Sequence, residues 1–198
     1  WQPLPIDIAS LDAVVLSHAH LDHSGWLPVL VKHGYRGPIY ASAATRDLAD
    51  VLLRDSAHLQ EEDARRINRY GISKHRKALA LYTGADAVRA VQRITPLAAG
   101  RSVNVGRVEV SLTPVGHLIG AGAVTLAAGR ERVVYSGDLG RQHDLLLPPP
   151  ERIDRADVLL MEATYGDRVH PRDDVQVALG NIIRRTVQRG GSVLLPAS

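Results

Sequence analysis

Residues 13–16, Ala-Val-Val-Leu, form a short apolar run, β-branched in the middle, that ends at a cluster of histidines; they predict a buried strand feeding a polar loop. Beyond that loop, Ser24 is placed to cap a helix whose Trp26, Leu27, Leu30 and Val31 share one face, with Pro28 in the first turn and Gly34 closing it. Residues 38–41 read as a second short strand. A long helix is expected over residues 45–66, with Leu48, Leu52 and Leu59 on a common side and with Glu61–Arg65 and Glu62–Arg66 as four-apart ion pairs. Periodicity is then lost over residues 68–82, which carry Arg69, Lys74, His75, Arg76 and Lys77 and predict a solvated connection. Residues 85–91 read as a short helix.

From Val103 the pattern changes to short runs separated by glycine-containing turns, with strands expected over 108–112, 123–126 and 132–135. Pro148, Pro149 and Pro150 mark a rigid loop, and residues 157–161 read as another buried strand. Val175, Leu179, Ile182, Ile183 and Thr186 then line one helical face, Gly190 and Gly191 stop that helix, and residues 192–195 look strand-like. No repeat or low-complexity segment interrupts this order.

Composition narrows the chemistry. A chain of 198 residues suffices for one substantial domain, or for one domain and part of another. With 45% hydrophobic and 23% charged residues it has ordinary globular content, and no apolar run approaches the roughly 20 residues of a bilayer span, so a membrane protein is not expected. There is no cysteine, which excludes disulfides and thiolate metal sites, leaves His and carboxylate as the transition-metal ligands, and suits a cytoplasmic location. The net charge is +3 and Arg outnumbers Lys, as phosphate contacts or a plain compositional bias would equally produce. The chain opens at Trp1 without an initiator Met or signal-peptide pattern and stops at Ser198 just after an apolar run, so a piece of a longer protein is expected.

Residues 17–25 read Ser-His-Ala-His-Leu-Asp-His-Ser-Gly. His18 and His20, two apart, point the same way from an extended segment, and Asp22 and His23 after one turn face a second point nearby. Four ligand-type residues so placed suit two cations. A nucleophilic triad has no support, because there is neither a cysteine nor a Gly-x-Ser-x-Gly turn. Two metals need further ligands, and two candidates follow apolar strands: His117 among glycines, and Asp138 within Ser-Gly-Asp-Leu-Gly. Either alone reads first as a turn-former or cap. Together with the first cluster they read as ligands. His33, His75, His143 and His170 fall in polar stretches and are not assigned to metal, His58 reads as a packing or surface residue, and Arg184, Arg185 and Arg189 as a solvated basic face.

The first cluster, Gly116-His117 and the segment around Asp138 resemble the metallo-β-lactamase fold hydrolases. Residues 161–168, Met-Glu-Ala-Thr-Tyr-Gly-Asp-Arg, resemble the β-CASP branch of that superfamily, which acts on nucleic acids, and residues 190–197 look like the opening strand of its inserted domain. Residues 55–63 and 81–83 look like segments of its bacterial RNA-processing members, related to the nuclease of the cleavage-and-polyadenylation machinery. The resemblance covers nearly the whole chain in order. The histidine cluster specifies only the superfamily, whereas the later segments specify the branch.

The resemblance implies an α/β fold, an αββα sandwich incomplete at its N-terminus, with a metallo-β-lactamase-like domain over residues 1–165 and the start of a β-CASP domain over 166–198. It assigns His18, His20 and His117 to one zinc, Asp22 and His23 to a second, and Asp138 as the bridge. Zinc ions about 3.5–4 Å apart share a water whose pKa falls towards neutrality, and the hydroxide would attack phosphorus in line. The leaving oxygen needs a proton donor, which the family draws from a later histidine oriented by the acid matching Glu162; Asp22 and Glu162 are therefore the candidate catalytic residues. The resemblance also places a supporting strand segment before Trp1 and the later histidines beyond Ser198, so a weaker second zinc is expected in this chain.

The implied activity is zinc-dependent cleavage of single-stranded RNA, as an endonuclease with 5′ exonuclease activity as an option, in the cytoplasm and with a homodimer as an admitted assembly. Its rivals are a DNA-directed nuclease of the same fold, a small-ester or lactone hydrolase, and a non-catalytic zinc-binding scaffold of an RNA-processing complex. Residues 162–168 argue against a small-molecule substrate. The complete set of His18, His20, Asp22, His23, His117 and Asp138 argues against the scaffold.

Overall fold

Two short parallel pairings start the fold. In the computed structural model, which describes residues 6–73, 77–169 and 174–195, β1 (Val14–Val15) pairs with β2 (Ile39–Ala41), and β2 pairs with β3 (Ile94–Pro96). The alternation of side chains divides this sheet's two faces: Leu16, Ile39 and Ala41 enter a core with the helices, while Val15 and Tyr40 face the second sheet. β3 has no signal in the apolar pattern, since only Ile94 of its three residues is buried.

Three helices cover the outer face of that sheet. α1 (Leu21–Ser24) is one turn, and α2 (Leu27–Lys32) buries Leu27, Leu30 and Val31. Two expectations fail here. Ser24 ends α1 instead of capping α2, because its hydroxyl donates to the Ala19 carbonyl at 2.8 Å, and Pro28 in the first turn of α2 has no N–H to be capped. Trp26 stays 40% exposed, lying before the buried face instead of on it.

α3 (Ala43–Tyr70) is longer than the expected 45–66, running from a Ser42 cap to the left-handed Gly71 without an internal Gly or Pro. Its buried stripe is Thr45, Ala49, Leu53 and Ala57, flanked by Leu48 and Leu52; Leu59 falls outside it and is 56% exposed. The small side chains of Ala49 and Ala57 meet Ala87 and Ala90 of α4 (Gly84–Val91) within one core, which lets the helices approach closely. A capping box between Thr83 and Asp86 starts α4. The ion pairs on α3 are three apart, Arg65 with Glu62 and Arg66 with Asp63, not the expected four. Of the basic connection, Lys74, His75 and Arg76 lie outside the described residues.

The second sheet has five strands in the order β4 (Ser102–Val105), β5 (Val108–Pro114), β6 (Gly122–Ala128), β7 (Glu131–Tyr135) and β8 (Val158–Leu160). All neighbours are antiparallel except β7 and β8. Val110, Leu112 and Val124 pack with Leu97, Val15 and Tyr40, so the two sheets face each other across a shared core. β8 forms where expected but is not buried: Val158, Leu159 and Leu160 are each more than half exposed, because β8 is an edge strand paired on one side only.

The chain divides into two compact units, residues 1–162 with both sheets and α1–α4, and residues 163–198. In the second, α5 (Val175–Gln188) starts at Asp174, whose carboxylate accepts from the Gln176 and Val177 N–H groups. Its Thr186 is buried while Val175, Leu179, Ile182 and Ile183 are exposed. Residues 192–195 are not a strand, there being no described partner for them to pair with. No helix among the described residues is long and apolar enough to cross a membrane.

Candidate metal centre

The chain leaves β1 extended, held by the Gly122 N–H donating to the Ser17 carbonyl at 2.9 Å. His18 is fully buried at this exit, and His20 two positions on projects to the same side. The Nε2 of His18 lies 3.1 Å from Nδ1 of His20, which lies 3.2 Å from Nε2 of His117 in the turn between β5 and β6. Oδ2 of Asp138, in the turn after β7, stands 3.3 Å from the His117 nitrogen and 3.6 Å from that of His18. One ligand atom from each of these four residues lies within 4.8 Å of every other, a spacing that could hold a metal ion.

The other oxygen of Asp138 faces elsewhere. Oδ1 lies 3.3 Å from Nε2 of His23, which is itself 3.4 Å from Oδ2 of Asp22. Asp22 and His23 are set there by the single turn of α1. Asp138 thus stands between two ligand groups, with His18, His20 and His117 on one side and Asp22 and His23 on the other.

The loop presenting Asp138 is tightly held. Gly137 adopts φ +56, and a Cβ on it would sit 2.9 Å from the Ser17 Cβ, so only glycine lets this loop approach the β1 exit. Ser136 N–H donates to the Leu160 carbonyl and Gly140 N–H to the Val115 carbonyl. Glu162, expected near the reacting atoms, instead braces this loop: its Oε1 accepts from the Leu139 N–H at 2.9 Å and its own N–H donates to Ser136 Oγ at 3.0 Å.

Burial, followed by the neighbouring His23, lowers the His18 pKa to about 4, with Asp138 opposing. His18 is therefore neutral near pH 7, the form that binds metal, and Ser17 Oγ lies 3.1 Å from its Nδ1, leaving Nε2 for the centre. Tyr135, the last residue of β7, places its hydroxyl 3.4 Å from His23 Nδ1; desolvation, then Asp138 and Asp22, raise its pKa.

All six expected ligand residues therefore converge. Ser17, Ser136 and Tyr135 were not singled out from sequence, although each directly adjoins a motif that was. His33 turns its Nδ1 to the Val29 carbonyl, His58 and His143 are exposed away from the cluster, and His75 and His170 lie outside the described residues.

The family described as "Beta-lactamase superfamily domain" matches residues 1–196. The chain belongs to it. The metallo-β-lactamase fold of this superfamily accounts for the paired sheets and for ligands gathered at strand ends. Among relatives, "Ribonuclease TTHA0252" of Thermus thermophilus is 36% identical over 98% of this chain and 41% of its own length. A "Transcription termination factor FttA" of a Lokiarchaeum is 34% identical over 96% of this chain and 29% of its own, and one from Methanothermobacter thermautotrophicus 36% over 94% and 28%. This superfamily member thus spans well under half the length of each of these relatives.

Proposed function

We propose that the chain is the metal-binding part of a dizinc nuclease of the β-CASP branch that hydrolyses RNA phosphodiester bonds. The observation that carries this reading is the division of Asp138, one oxygen towards His18 and His117, the other towards His23. An all-nitrogen and oxygen donor set with neutral imidazoles fits zinc. Two zinc ions, when bound, would lower the pKa of a shared water and offset negative charge developing on the phosphate.

The chain's own residues then have separate tasks. His18, His20 and His117 would hold one ion, Asp22 and His23 the second, and Asp138 both. Glu162 keeps the Asp138 loop in register through the Leu139 N–H, and Ser17 keeps the His18 Nε2 free of a proton. The relatives named ribonuclease and transcription termination factor favour RNA as the polymer. A cytoplasmic location belongs to the same reading.

The test is zinc content followed by cleavage of end-labelled single-stranded RNA and DNA by the full-length protein, with His18→Ala and Asp22→Ala as controls. Zinc binding with RNA cleavage lost in both variants is expected. Zinc and RNA binding without cleavage of either polymer would sink the nuclease reading in favour of the scaffold.

A further inference from the structure

His117 belongs to a turn over residues 115–121 that has no regular structure, yet its ring must meet two rings carried by the β1 exit. Two backbone bonds close the turn on itself, Val115 N–H to Ala121 and Ala121 N–H to Leu118. A third attachment comes from the start of α3. The Gly120 carbonyl lies 2.8 Å from Ser42 Oγ and 3.0 Å from Thr45 Oγ1, and the two hydroxyl oxygens are 3.0 Å apart.

Proton counting shows what these contacts can be. Each hydroxyl has one proton, so three short oxygen–oxygen distances hold at most two donated bonds. Either both protons go to the two lone pairs of the Gly120 carbonyl, or Ser42 donates to Thr45, which donates to Gly120. The carbonyl is held in both. Capping does not use these protons, because Ser42 Oγ serves the helix as an acceptor of the Thr45 N–H at 3.0 Å. Thr45 is fully buried, so its proton has no water to turn to. Gly120 itself has φ +84, and a Cβ there would stand 2.8 Å from Ala44 Cβ and from Thr45 N, which puts its backbone directly on the helix start.

We propose that Ser42 and Thr45 are positioning residues for the three-histidine half of the metal centre, their hydroxyls fixing the turn that carries His117. This rests on the dizinc reading above. It adds a link from the N-terminus of the longest helix to a ligand 72 positions further along the chain than Thr45, since 117 − 45 = 72.

The experiment is zinc competition against a chromophoric chelator on the full chain, with the metal-free melting temperature recorded for each variant. Thr45→Val, which keeps the shape and removes the proton, should weaken the tighter zinc by about 10- to 100-fold, the usual effect of losing a partner behind a ligand. Thr45→Ser should stay within a few-fold of wild type, and Ser42→Ala should weaken zinc in the same direction as Thr45→Val. If both hydroxyl-free variants melt lower but bind zinc as wild type does, the residues are structural only and the proposal fails. If wild type itself binds no zinc, the dizinc reading fails instead.

Discussion

The two halves of the metal centre are built differently. His18 is fully buried, its ring backed by Ser17, and His117 is carried by a turn fastened to α3. Asp22, by contrast, is 77% exposed on a single helical turn, and His23 has a tyrosine hydroxyl at a long 3.4 Å behind it. A ligand whose position is already fixed loses little freedom when it binds metal, whereas an exposed carboxylate must be ordered at that moment. The contrast teaches that affinity should divide between the halves, with the three-histidine side the tighter.

Asp138→Ala should have the largest effect, because it strips an oxygen from both groups at once: metal analysis of the purified variant should find both zinc equivalents lost or weakened by at least about 100-fold. Retention of one tight zinc at wild-type affinity would mean that Asp138 serves only the Asp22–His23 side. Asp22→Ala should affect that side alone. Chelator competition on wild type should show a tight and a weak phase, and the variant should keep the tight one within a few-fold while the weak one disappears.

pH offers a smaller and metal-free comparison. The folded His18 pKa of about 4 lies below its ordinary 6.5, so between these values the unfolded chain binds a proton that the folded one does not. The stability from a neutral His18 is complete above pH 6.5, declines as pH falls through that window, and stops declining near 4. Denaturant unfolding of the metal-free protein should show this slope, and His18→Ala should flatten it. Smallest of all, Tyr135→Phe should weaken only the second zinc, by a few-fold, since the hydroxyl stands 3.4 Å from His23. An effect on the tight phase would place Tyr135 on the wrong side of the centre.

Much of this was legible along the chain, for local reasons. β1, α4 and β5–β7 follow from apolar runs and turn residues that act over a few positions. The failures are equally physical. Leu59 lies on the helical pattern, but the stripe facing α4 is centred on Ala49 and Leu53, and that choice belongs to the packing partner. Residues 157–161 are apolar enough for a buried strand, yet burial needs a covering layer that an edge position does not supply. β3 was missed because three residues with one buried side chain leave no pattern.

The sequence by itself determined the ligand chemistry: without cysteine, only His and carboxylate were available, and their adjacency at residues 18–23 and among glycines at 117 and 138 marked them out. Only the tertiary structure decided how those ligands are shared and held. Which oxygen of Asp138 meets which histidine, the placing of Glu162 behind the Asp138 loop, and the hold of Ser42 on a carbonyl 78 residues away all depend on contacts between distant segments. A residue's chemistry is written at its own position, but its partner is chosen when the sheets and helices close around it.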